Sequence, residues 1–156
     1  MTIGDQLIQD ENGFFAFEAS NDDRIKGMSI NSTIYVSDAN DTTNPISGNF
    51  LIDLGGANAL YLNLNQKKVK DFVEKFEHIV LDPASYASNS SIDMKVLAPQ
   101  KIKMENLEVA NDYIIALKIE KYGEADLYTG MIGIDFLERY EFIFDYHHQK
   151  MYFKNI

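Results

Sequence analysis

Asn49-Phe50-Leu51-Ile52-Asp53-Leu54-Gly55-Gly56-Ala57-Asn58-Ala59-Leu60 carries an apolar strand into a single Asp, then two glycines, then a second apolar strand. A carboxylate at the end of a buried strand is costly to desolvate, so a chain that keeps one there usually uses it. The glycines free the backbone for a tight turn that offers N–H groups to the acid. Further along, Gly130-Met131-Ile132-Gly133-Ile134-Asp135 brings another apolar strand to a Gly/Asp turn. Two similar half-units packed about a local two-fold would produce such an echo, and so would chance.

The chain has 156 residues, enough for one domain with a real core, and 46% of them are hydrophobic. Its formal charge of -10, from 24 acids against 14 bases, argues against nucleic acid and anionic membrane as partners. With no cysteine, thiolate nucleophiles, disulfides and Cys-ligated zinc are excluded. The start, Met1-Thr2-Ile3-Gly4-Asp5, does not read as a signal peptide. No apolar run approaches the roughly 20 residues of a membrane helix, so membrane insertion is not expected.

Residues 1–13 are polar and read as a frayed segment; residues 14–156 read as one mostly β domain. Strands are expected at 14–19, 33–39, 49–54 and 59–63, with a loop from Asp38 to Pro45. Val69, Phe72, Val73 and Phe76 recur at helical spacing opposite a lysine-rich face, which predicts an amphipathic helix over about 66–76. Ser85 to Ser91 reads as a mobile loop. Lys101 to Val109 and Tyr113 to Glu120 read as a hairpin turning at Asn111-Asp112. Asp135 with Glu138 reads as the capping pair of a short helix over about 135–140. Residues 141–146 and 150–154 form a last hairpin around His147-His148-Gln149.

Two motifs together resemble one family. Phe50 to Ala57 is similar to the catalytic loop of retropepsin-like and pepsin-like aspartic proteases, where Asp-Thr-Gly-Ala or Asp-Thr-Gly-Ser follows an apolar strand. Met131-Ile132-Gly133-Ile134-Asp135-Phe136-Leu137 is similar to the family's second element, two apolar residues and a Gly before a short helix. The tail from Tyr140 to Phe153 looks like the closing hairpin of bacterial single-lobe members.

The resemblance implies a closed or partly closed β barrel of the acid-protease lobe type, either standing alone or as the C-terminal lobe of a longer protein. It implies peptide hydrolysis by a water activated between Asp53 and a second Asp from another lobe or a homodimer mate. The substrate would be an extended peptide or protein, with no cofactor and no metal. Gly55 would be the backbone donor of the loop, Gly133 would pack behind it, and Met131 and Ile132 would support it. A hairpin from Lys101 to Glu120 is the candidate covering flap. The resemblance also implies placement in the envelope or outside the cell.

Two positions depart from the family pattern. Leu54 stands where the family has Thr, whose hydroxyl locks paired loops across the lobe interface, and Leu has no such group. Gly56 stands where Ala or Ser is usual, which is expected to loosen the loop. The alternatives to a peptidase are therefore an inactive peptide- or protein-binding module of the same fold, or an unrelated barrel with a structural Asp. Adjacent strand residues point to opposite faces, so His147 and His148 are not expected to share a metal. The cluster Lys67, Lys68 and Lys70 reads as a solvated helix face.

Overall fold

The computed structural model describes residues 2–3, 6–7, 12–21, 28–38, 40–76, 78–79, 94–105, 107–118 and 128–156; the expected loop from Ser85 to Ser91 lies outside them. Strands β1 (Thr2–Ile3) and β2 (Gln6–Leu7) pair with each other. There follow β3 (Phe15–Asn21), β4 (Met28–Ser37), β5 (Thr43–Ile52), β6 (Leu60–Asn63) and helix α1 (Lys67–Val73). Next come β7 (His78–Ile79), β8 (Met94–Met104), β9 (Leu107–Leu117), β10 (Gly130–Ile132) and helix α2 (Ile134–Leu137). The closing hairpin is β11 (Tyr140–Asp145) and β12 (Lys150–Asn155).

Strands β4, β5, β10, β6, β9 and β8 are paired in that order, and β8 pairs back onto β4 from Ile34↔Met104 to Ser37↔Lys101. The expected closed β barrel with two helices is therefore present. Beyond β4 the sheet continues through β3, β12 and β11. Alternation explains the strands: in β4, Ile30, Ser32, Ile34 and Val36 are buried, while Thr33 and Tyr35 are only partly covered. In α1 the predicted stripe is the buried face, with Val69 and Val73 fully covered.

Several boundaries differ from the sequence reading. Helix α1 ends at Val73, and tighter turn bonds carry the chain on to Phe76 (Lys75 N–H to Phe72 O, Phe76 N–H to Val73 O). Strand β5 begins at Thr43 and includes Pro45, read above as loop; there β5 pairs with β4 alone, where a missing N–H is tolerated. The true loop is held by Asp38, whose Oδ1 accepts the Asn40 and Thr42 N–H groups, both at 2.9 Å. Helix α2 spans Ile134–Leu137, and its N-cap is Gly133 rather than Asp135, which sits in the first turn.

The larger correction concerns β8 and β9. The two strands are joined between Met104 and Leu107, with Glu105 at φ 52°, and Asn111-Asp112 lies inside β9. A local turn signal yields here to pairing on both edges of the hairpin, β9 with β6 and β8 with β4. The tip is pinned as well: the Tyr140 hydroxyl accepts the Glu108 N–H at 2.6 Å and donates to the Glu108 carbonyl at 2.7 Å. This hairpin is barrel wall, so the candidate flap from Lys101 to Glu120 is withdrawn.

The last hairpin follows the reading closely, turning at 146–149. His147 and His148 lie in that turn, as read from the sequence, and their rings meet edge to face with centroids 4.7 Å apart. His148 donates its N–H to Asp145 Oδ1 and places its ring Nδ1 2.7 Å from Oδ2, which holds the Asp145 carboxyl below the usual range.

Candidate active-site loop

Strands β5 and β6 are consecutive but do not pair with each other; β10 lies between them. It runs parallel to β5 (Gly130↔Phe50 to Ile132↔Ile52) and antiparallel to β6 (Gly130↔Leu62 to Ile132↔Leu60). The loop 53–59 must therefore bridge over the end of β10. That threading joins the two sequence motifs in space.

Backbone bonds tie the loop to β10 and α2. Asp53 N–H donates to Ile132 O at 2.9 Å, and Gly133 N–H to Ala59 O at 3.0 Å. Ile134 N–H donates to Gly56 O at 2.7 Å. Inside the loop, Gly55 N–H donates to Asp53 Oδ1 at 2.9 Å and Gly56 N–H to Asp53 O at 3.3 Å. Asp53 is partly buried, with its carboxylate turned back onto its own turn.

Asp53, Leu54, Gly55 and Gly56 thus share one turn, and Met131, Ile132 and Gly133 run beside and beneath it. Ile132 is buried, Met131 partly so. Leu54, at the outer end of the turn, is 57% exposed. Neither loop glycine is in the left-handed region; the glycine with positive φ among the described residues is Gly13.

Close approach constrains Gly56 more than Gly55. A Cβ on Gly55 would lie 3.3 Å from Asp53 Oδ1. A Cβ on Gly56 would lie 2.8 Å from Tyr61 Cε2 and 3.2 Å from Asp53 Oδ2. Gly56 is buried and bonded through both N–H and C=O.

Three residues that the sequence reading did not assign to the site complete the surroundings. The Tyr61 hydroxyl accepts the Asn58 N–H at 3.0 Å and donates to Asn58 Oδ1 at 3.3 Å, closing the far half of the loop. Alternation in Leu60-Tyr61-Leu62, with both leucines buried, places Tyr61 on the opposite face of β6, a signal the sequence did contain.

Asp112 is the third. It is 8% exposed, its Oδ1 accepts the Tyr113 N–H at 2.7 Å, and its Oδ2 makes no hydrogen bond. Burial pushes its carboxyl above the ordinary range, and Asp135 adds to the rise. The Tyr113 N–H, Arg139 and the Ala59 amide oppose it. Asp112 thus adjoins both the Asp53 loop and α2. Its misreading as a turn residue hid it.

Among the described residues no cluster of three His, Asp or Glu side chains could hold a metal ion, and no helix is long and apolar enough to cross a membrane.

No family model and no curated protein sequence matches the chain. The structure is similar to that of a retropepsin-like aspartic protease from Rickettsia conorii, with 17% sequence identity and a TM-score of 0.50. The match covers 90% of this chain and 89% of that one. At this identity the likeness establishes a shared fold, the retropepsin-like barrel.

Proposed function

We propose that this chain is one lobe of an aspartic peptidase, hydrolysing peptide bonds through Asp53 and a second carboxylate supplied by another lobe or a second copy. The observation that carries the proposal is the placement of Asp53. It sits at the end of β5, on a loop fastened to β10 and α2, with an N–H donated to its carboxylate and an exposed residue at its outer end. The similar structure from Rickettsia conorii is described as a protease of this kind.

The chemistry requires a pair. Two carboxyls brought together share one proton, because like charges so close cannot both ionise. The ionised partner removes a proton from water as its oxygen attacks the peptide carbonyl, and the protonated partner donates to that carbonyl oxygen. The tetrahedral species collapses with cleavage of the C–N bond, and the amine leaves with a proton returned from the pair. No covalent enzyme intermediate forms.

Leu54 favours a second reading, an inactive peptide- or protein-binding module. An apolar side chain cannot make the loop-to-loop hydrogen bond of the family's Thr, yet exposed it suits a contact surface. The deciding experiment is cleavage of a denatured protein at acidic pH by the wild type and by Asp53→Asn. Cleavage abolished by the substitution supports the peptidase. Equal behaviour of the two proteins refutes catalysis and leaves the module.

A further inference from the structure

Gly56 and Tyr61 compete for one volume beside the Asp53 carboxylate. The ideal Cβ position at residue 56 is in contact distance of both Tyr61 Cε2, at 2.8 Å, and Asp53 Oδ2, at 3.2 Å. The ring therefore stands where a side chain on residue 56 would go. It is fixed there at both ends. Its backbone belongs to β6, paired with Met131 on one side and Ile115 on the other. Its hydroxyl is held by the Asn58 N–H and Oδ1.

We infer that Tyr61 is a positioning residue for the loop that carries Asp53, its ring packed where a side chain on residue 56 would meet it beside the carboxylate and its hydroxyl held by Asn58, in a coupled pair with Gly56. The inference rests on the peptidase reading for its catalytic meaning; the coupling itself does not. The missing side chain at 56 is a steric requirement of Tyr61. A small residue at 61 would reopen the volume, and a Ser or Ala at 56 would then fit.

Physical coupling is measured without substrate. Gly56→Ser, Tyr61→Ala and the double variant form a cycle read by thermal melting. Gly56→Ser is expected to lower the melting temperature sharply in the wild-type background and little in the Tyr61→Ala background. Additive losses would overturn the coupling. Should Tyr61→Ala fail to fold, Tyr61→Leu with Gly56→Ala provides the same cycle.

The catalytic part is read by kinetics. Tyr61→Ala is expected to lower kcat at least tenfold with KM little changed, because the loop carrying Asp53 loses the ring packed against Gly56. Tyr61→Phe keeps the ring and is expected to retain most of kcat. Equal kcat in wild type and Tyr61→Ala would overturn the positioning role. Failure of the peptidase reading shows separately, as cleavage insensitive to Asp53→Asn, and leaves the melting cycle interpretable.

Discussion

The backbone at Gly133 approaches the Asn58 carbonyl oxygen so closely that a Cβ on Gly133 would stand 1.9 Å from it, and 2.7 Å from the Gly56 carbonyl oxygen. Both neighbours are backbone atoms of the Asp53 loop, which cannot swing aside as a flexible side chain would. Gly133→Ala is therefore expected to push the loop off β10. Overpacking of this kind costs about 1–3 kcal/mol or more. A denaturant titration should show the midpoint falling by a matching amount; an unchanged midpoint would mean the loop relaxes freely.

Tyr140 joins the closing hairpin to the tip of β8–β9 through two hydrogen bonds with the Glu108 backbone. Tyr140→Phe removes both and leaves a partly buried N–H and C=O without this partner. The expected loss is roughly 1–3 kcal/mol. Amide hydrogen exchange at Glu108 should accelerate together with the fall in stability; protection equal to wild type would contradict the assignment.

Asp112 gives the stability a pH dependence of known sign. Burial raises its folded-state carboxyl above the ordinary value of 3.8, so between those two values the folded chain binds the proton that the unfolded chain has released. Its contribution to stability is therefore undiminished below the unfolded value and declines as pH rises through the raised one. Asp112→Asn keeps an oxygen for the Tyr113 N–H and removes the charge. The variant should be the more stable protein at pH 7, with the gap narrowing as pH falls towards 4. Melting curves across that range check it, and a gap that widens on acidification would refute it.

Leu54 stands 57% exposed at the outer end of the loop. If a partner covers it, as the paired-lobe proposal requires, burying a leucine contributes about 1.5–3 kcal/mol. Leu54→Asp should then weaken self-association on the order of tenfold to a hundredfold, and any acid peptidase activity should fall in parallel. Sedimentation at several concentrations reads this directly. Identical association in both proteins would place the contact elsewhere.

The barrel was legible where periodicity was strong. Ile34 and Val36 marked β4, and the Val69, Phe72, Val73, Phe76 stripe marked the helix, because each element buries one face against a common core. The juxtaposition of Asp53 with Gly133 came from family likeness between two short motifs; no local rule predicts that β10 inserts between β5 and β6. Asn111-Asp112 misled because turn chemistry is local, whereas the register of β9 is decided by neighbours far along the chain. Tyr61 was passed over as an ordinary strand residue, since its contact with Gly56 exists only once the loop has folded back over it.

The insertion of β10 also fixes an order of events. Phe50, Leu51 and Ile52 find their parallel partners in Gly130, Met131 and Ile132, and the amide of Asp53 has its acceptor in the same distant strand. While the polypeptide is still emerging from a ribosome, the Asp53 amide and the Gly56 carbonyl lack their acceptor and donor until that later segment appears. Such long-range closure is intrinsically slow. The seat of Asp53 is therefore complete only once residues 130–134 have joined the sheet.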